Sequence, residues 1–204
     1  MKNNQNKFIE YAKDFSFRNN VHIWLGGSFL RGNASAFSDV DLSIECNNTL
    51  LEKFIYGYGK PVYLSHTSNP KGILIVIYKD GVAVDLEVIK SIDNSNNDFF
   101  HAEDIKKYDY VRNEETCESF ALRKDIPYQM SRLFHRSLIK FLAGKKETGI
   151  SVANEISTYM DCKDLFDEKN YKHQMNQVLK KYNEQYELTE EYLNILFELI
   201  GELE

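Results

Sequence analysis

Gly26-Gly27-Ser28 closes the apolar run Val21–Leu25, and ten residues beyond Ser28 the segment Ser38-Asp39-Val40-Asp41-Leu42 opens another. A backbone that has to approach phosphate oxygens closely needs residues without bulky side chains. Gly26 and Gly27 meet that need and leave their N–H groups free to face an anion, while Ser28 adds a hydroxyl donor. Asp39 and Asp41 are two residues apart, so on a strand both carboxylates project from one face, close enough to share hard cations such as Mg2+. Two such ions, about 3.5–4 Å apart, would clamp the attacking and leaving oxygens of an in-line phosphoryl or nucleotidyl displacement. The spacing reads as a phosphate cradle beside a metal site.

A third carboxylate stands further along. Asp85 interrupts the apolar run Val82–Ile89, and an acid in such a strand costs free energy unless it is used or paired. Glu87 shares its face and is the rival candidate, as a general base that takes the proton from an acceptor hydroxyl. The plain alternative is that both face solvent on a one-sided strand. Arg31, three residues past Ser28, either touches phosphate or pairs with a nearby carboxylate to hold the turn, and the second role is preferred.

Gly27-Ser28-x-x-Arg31-Gly32 with Ser38-Asp39-x-Asp41-Leu42 resembles the signature of the nucleotidyltransferase superfamily with the DNA polymerase beta-like palm. The resemblance is in particular to its small bacterial members that adenylylate antibiotics, such as aminoglycosides and lincosamides. The resemblance covers roughly residues 20–90. It implies a nucleoside triphosphate donor, ATP first among them, held through Gly27, Ser28 and Arg31. It implies two Mg2+ ions on Asp39, Asp41 and Asp85, since Val84-Asp85-Leu86 matches the place of the superfamily's third carboxylate. Asp85 would complete the metal site or act as base. The implied reaction moves AMP onto a hydroxyl of a small molecule, and some relatives share one cleft between two subunits, so a homodimer is open. Two other readings stand beside it: a nucleotidyltransferase of toxin–antitoxin type that modifies a protein or an RNA end, and a nucleotide-binding regulatory module without catalysis.

The elements that must position these residues are legible in outline. Phe8, Ile9, Ala12 and Phe15 recur at helical spacing over residues 4–19, with Asn19-Asn20 as the stop. Val21–Leu25 is a short strand delivering the turn, and a helix beginning near Ser28 would add its amides and dipole to the phosphate site. Asp39–Cys46 alternates acids and hydroxyls with Val40, Leu42 and Ile44, the period of a strand with one packed face. A helix near Thr49–Tyr56 precedes strands at Val62–Leu64, Gly72–Tyr78 and Val82–Ile89, the last two joined through Asp80-Gly81 as a tight hairpin. Ser91–Asp98 is linker-like in composition, and Phe99–Lys124 is expected to be rich in helix. Helices follow from Pro127 to a stop at Gly144, over Ser151–Met160, over Tyr171–Tyr182, and over Thr189–Leu203 with Thr189 as cap and a stripe of Leu193, Leu196, Phe197, Ile200 and Leu203. The expected fold is α+β: a nucleotidyltransferase domain over residues 1–98, with a mixed β-sheet flanked by helices, then a C-terminal helical bundle over 99–204 that the resemblance makes the acceptor-binding part.

Composition sets the outer limits. With 204 residues, 43% hydrophobic and 13% aromatic, the chain can bury a real core in one or two domains of typical size. No apolar run approaches the roughly 20 residues of a membrane span, and the polar start Met1–Asn6 lacks a signal-peptide apolar region, so a cytoplasmic protein without membrane partners is expected. Cys46, Cys117 and Cys162 fit neither a disulfide framework nor a zinc site, and the five histidines share no ligand spacing; His135, between Arg132 and Arg136, is the one considered for phosphate. The net charge of −6 is uneven: residues 1–144 carry 18 basic and 18 acidic residues, residues 145–204 carry 7 and 13. An acidic surface repels polyanions, which argues against long nucleic acid, and attracts a cationic small acceptor such as an aminoglycoside.

Overall fold

Val40, Leu42 and Ile44 alternate with Asp41, Ser43 and Glu45 along strand β2 (Val40–Glu45), and this alternation sorts the two faces of a seven-stranded sheet. A computed structural model describes residues 2–67, 73–93, 99–120, 123–162 and 165–203. The chain divides into two compact units, Met1–Leu122 and Arg123–Glu204. In the first, α1 (Lys2–Asn19) leads into β1 (Ile23–Leu25), a one-turn helix α2 (Gly27–Leu30), β2, α3 (Asn48–Tyr58), β3 (Pro61–His66), β4 (Ile73–Tyr78) and β5 (Ala83–Ile92). Then come β6 (Phe100–His101), a 3-10 turn at Ile105–Lys107, β7 (Tyr110–Arg112) and the short helix α4 (Glu114–Ser119).

The sheet order is β3-β4-β5-β2-β1-β6, with β7 on β5. Strands β2 and β5 run parallel in its middle, and β1/β2, β4/β5 and β3/β4 are antiparallel, which makes the sheet mixed as the alternation and the hairpin signal imply. One face is apolar: Val40, Leu42, Ile44, Leu74, Val76, Val84, Leu86 and Val88 pack with Phe8, Ala12 and Phe15 of α1 and with Leu51, Phe54 and Ile55 of α3. Apolar burial of this kind is the main favourable term in folding. The opposite face carries Asp41, Ser43, Asp85 and Glu87.

The second unit is helical: α5 (Ile126–Leu142), α6 (Lys146–Tyr159), α7 (Tyr171–Tyr186) and α8 (Glu190–Gly201). Asp125 caps α5 by accepting from the Tyr128 N–H at 3.0 Å and is itself held by Arg123; the Arg123 guanidinium and that amide keep its carboxyl below the usual range. Leu133, Phe134, Leu138, Ile156, Tyr171, Met175, Leu179, Tyr182 and Leu196 are buried.

Several expectations shift. The segment Phe99–Lys124 is not mainly helix: β6 pairs with β1 and β7 with β5, so residues 100–112 belong to the sheet and the first unit runs to Leu122 rather than ending at the expected boundary of 98. Strands of two and three residues carry too little pattern to be seen, and they owe their form to a partner distant in sequence. Ser91 and Ile92 lie within β5 rather than in a linker, while residues 94–98, like the expected strand start Gly72 and the chain end Glu204, fall outside the described residues. On α8 the buried face is Tyr192, Ile195, Leu196, Leu199 and Ile200, and Phe197, expected inside, is 49% exposed. Thr189 stands at the cap position without a side-chain bond. His135 is buried inside the helical unit.

Three phenols on the apolar face give the first unit a titration signature. Tyr11 donates to the Phe54 carbonyl at 2.6 Å, Tyr78 to the Ile55 carbonyl at 2.9 Å and Tyr58 to Asp80 at 2.6 Å. Burial raises all three pKa values, that of Tyr11 to about 12, with Asp80 adding to the rise at Tyr58. A raised value means that the fold favours the neutral phenol. The stability it contributes is therefore complete below the unfolded value of about 10 and is lost as pH climbs through about 12. We expect the urea midpoint to hold steady to pH 9.5 and fall above it, and Tyr11→Phe to flatten that fall; parallel curves for the two proteins would contradict the assignment.

Candidate active site

The chain folds its candidate residues into one row. In the antiparallel pair, Leu25 of β1 faces Leu42 of β2, which sets Gly26 beside Asp41, and the Gly26 N–H donates to the Asp41 carbonyl at 2.8 Å. In the parallel pair, Asp41 faces Asp85. Register partners on neighbouring strands have backbones about 4.8 Å apart and side chains on the same face, so the Gly26-Gly27 turn, Asp41 and Asp85 lie in succession across the sheet. Asp39 precedes β2 on the same parity as Asp41. All three acids are half-buried, each with interactions of its own.

Gly27 is where the turn and the acid are fitted together. Its φ is +59°, and a Cβ built on it would lie 1.6 Å from Asp41 Oδ2. Only glycine meets both conditions without strain. The chain then makes the single turn α2, with Leu30 N–H bonded to the Gly26 carbonyl and Arg31 N–H to that of Gly27. The amides of Gly27, Ser28 and Phe29 precede the first of these bonds, as at any helix start. Four residues make a far smaller dipole than the helix expected here, so what the turn offers an anion is its amides and Ser28, whose Oγ is buried without a hydrogen-bond partner. Arg31 is exposed at the end of α2 and takes part in none of the described ion pairs, contrary to the preferred expectation that it braces the turn.

The loop from Asn33 to Asp39 is tied from outside. Gln5, 4% exposed on α1, donates its amide to the carbonyls of Ala36, at 3.2 Å, and Ser38. Within the loop the Ser35 N–H donates to Ser38 Oγ at 2.9 Å and the Phe37 N–H to Ser35 Oγ at 3.2 Å. Gln5 went unseen in sequence because a polar residue on a polar helix gives no sign of what it holds; its place on the Phe8–Ala12–Phe15 face is the only hint.

One register step along the same face, Ser43 of β2 pairs with Glu87 of β5. Ser43 Oγ donates to Glu87 Oε2 at 3.1 Å, and Arg112 of β7 forms an ion pair with Glu87 Oε1. The Arg112 guanidinium is held charged by the hydrogen bond it donates to the Tyr110 side chain and by the Glu87 charge. Sequence reading did not reach Arg112, since its strand is three residues long and joins β5 only in the fold. Beyond this pair the face is closed by Trp24, Ile89 and Ile105.

The donor set suits a hard divalent cation. Among the described residues no three His, Cys, Asp or Glu side chains stand close enough to form a complete metal cage. Mg2+, however, is ordinarily held by one or two carboxylates with the remaining positions filled by water and substrate phosphate, and Asp41 with Asp85 provides that number beside a turn of small residues and an unpartnered hydroxyl. The residues present therefore fit a metal–triphosphate complex better than a bare structural ion.

A family model of the nucleotidyltransferase domain matches residues 7–126, more than half of the chain. The chain belongs to the nucleotidyltransferase domain family. No curated protein matches it. The domain type moves a nucleoside monophosphate from a nucleoside triphosphate, with a divalent metal as its usual helper. In this nucleotidyltransferase the matched region starts in α1 and takes in every strand of the sheet. Among the described residues no helix is long and apolar enough to cross a membrane.

Gly27 and Gly32, two of the glycines with a left-handed backbone, provide a control for the cradle. Gly32 has φ +70° but open space where a Cβ would go. Gly32→Ala should cost about 1 kcal/mol of stability from backbone strain alone and leave triphosphate binding intact. Gly27→Ala carries the same strain and also displaces the Asp41 carboxylate, so binding measured by calorimetry should weaken at least tenfold. Equal affinities in the two variants would mean that the fit of Gly27 against Asp41 does not serve the ligand.

Proposed function

We propose that this nucleotidyltransferase moves AMP from ATP onto a hydroxyl group of a small cationic acceptor, of the kind represented by aminoglycoside antibiotics. The observation that carries the reading is the register of Asp41 with Asp85 across β2 and β5, directly beside the Gly26-Gly27-Ser28 turn. In this reading Gly27 and Ser28 hold the β- and γ-phosphates through backbone amides and a hydroxyl. Asp39, Asp41 and Asp85 would hold Mg2+, which supplies charge neutralisation for the triphosphate and for the leaving pyrophosphate.

The acceptor oxygen forms a bond to the α-phosphorus as the bond from that phosphorus to the bridging oxygen breaks. Pyrophosphate leaves with the electron pair, and the acceptor's proton passes to a carboxylate. Of the two candidates for that proton, Glu87 already has both oxygens engaged, one accepting from Ser43 and the other paired with Arg112. Asp85 is therefore assigned the proton. The cationic acceptor is supported by charge: the helical part of the chain holds the whole acidic excess, 7 basic against 13 acidic residues over 145–204.

The test is pyrophosphate release measured with a panel of nucleoside triphosphates and acceptors. ATP with a polycationic aminoglycoside should give turnover that chelation of Mg2+ abolishes. Asp41→Asn and Asp85→Asn should each lower turnover at least a hundredfold, a loss of about 3 kcal/mol in transition-state stabilisation, while the melting temperature stays within a few degrees. Normal transfer by Asp41→Asn would end the metal-site assignment. Turnover only with an RNA or protein acceptor would end the small-molecule reading and keep the reaction class.

A further inference from the structure

The face of the sheet that carries Asp41 and Asp85 bears one more acid than the reaction needs. Glu87 lies two residues from Asp85 on the same side of β5, with its side chain only 15% exposed. A carboxylate so placed would either turn toward a cation at Asp41 and Asp85 or repel the triphosphate that accompanies it, unless its charge were cancelled. The fold supplies the cancelling charge from a distant stretch of chain. Arg112 faces Ile89 in the β5/β7 ladder, and its guanidinium reaches the diagonal neighbour Glu87, the geometry by which cross-strand pairs interact. The second carboxylate oxygen is occupied by Ser43, whose register partner is Glu87 itself. Both oxygens of Glu87 are thus engaged, one from each flanking strand. The Asn113 N–H bonded to the Val88 carbonyl at 2.9 Å fixes the end of β7 that carries Arg112.

We infer that Arg112 is a positioning residue of the transfer site: it holds Glu87 away from the cation and so keeps its negative charge from adding to that of Asp39, Asp41 and Asp85. This rests on the reading of Asp41 and Asp85 as the cation-holding pair. Arg112 touches neither substrate nor metal in this role and acts only through Glu87, much as outer-shell partners tune metal sites elsewhere.

The charge argument gives the two members of the pair opposite signs, which a bracing role does not. Binding of Mn2+ alone to the protein, followed by electron paramagnetic resonance, is the readout. Arg112→Gln leaves Glu87 unpaired and should tighten Mn2+ about tenfold. Glu87→Gln, nearly the same in shape, leaves Arg112 unpaired and should weaken it by a similar factor. The double variant should return to within threefold of the wild type. Affinity for a nonhydrolysable ATP analogue should move the other way in Arg112→Gln, weakening as Mn2+ tightens. If Arg112 only braced β7, both single variants would weaken Mn2+ and the double variant would weaken it further; that pattern overturns the inference. Asp41→Asn separates the layers. Loss of Mn2+ in that variant with a same-sign cycle at 87 and 112 overturns the role of Arg112 alone, whereas a wild type that binds no Mn2+, or an Asp41→Asn variant that binds it unchanged, overturns the cation-holding reading and this inference with it.

Discussion

The first unit is arranged around a contact that permits no side chain. Gly27 turns with a positive φ directly against the Asp41 carboxylate, where a Cβ would lie 1.6 Å from Oδ2. This close approach joins the anion-facing turn to the acid strand, and it depends on β1 lying antiparallel to β2 with Gly26 bonded to the Asp41 backbone. A phosphate bound by the turn and a cation bound by the acid would then be neighbours by construction, because the two protein groups already are. The loop between them is short and tied by Gln5 from α1, so the arrangement is held from behind as well as from within.

The sheet order follows from a second demand, that acids face each other without entering the core. Asp41 and Asp85 are in register only because β2 and β5 are parallel neighbours, and parallel neighbours need a long crossover. Here the crossover is α3 followed by β3 and β4, which add their own apolar rows to the face packed under α1 and α3. A slip of one residue in β5 would exchange Asp85 and Glu87 for Val84, Leu86 and Val88, burying two carboxylates in that core. The free energy that fixes the register is thus the same burial that builds the fold, and the placement of the acids follows from it. The added cost is the half-buried Glu87, which the fold meets with Ser43 and Arg112 rather than with water.

How far this was legible in the sequence depended on where each partner lay. Asp41 on β2 and Asp85 on β5 sit in runs long enough to show a period of two, the turn and the hairpin around Asp80-Gly81 are marked by their glycines, and the structure puts both acids in one sheet beside that turn. Helix α5 announced itself through Pro127 and its apolar stripe. In contrast, β6 and β7 are two and three residues long, and nothing local separates Tyr110-Val111-Arg112 from helix. The same limit hid Gln5 and Arg112, whose meaning lies entirely in a distant backbone carbonyl or carboxylate. Phe197 shows a different failure: the stripe on α8 was real but rotated, because Tyr192 and Ile195 turn inward and leave Phe197 at the surface.

The family match ends at residue 126, at the first residue of α5, and the helical unit beyond it is stabilised by its own interior: Tyr182 donates to the Pro127 carbonyl, Tyr192 to that of Ser131 at 3.1 Å, and Ser137 to that of Gly149 at 2.6 Å. These bonds leave the outer faces of α6, α7 and α8 free to vary without disturbing either core. A sheet that must keep Gly27 against Asp41 and Asp41 beside Asp85 has little such freedom. Constraint of that kind leaves a pattern in sequence, which is why the reaction class can be read from residues 26 to 87.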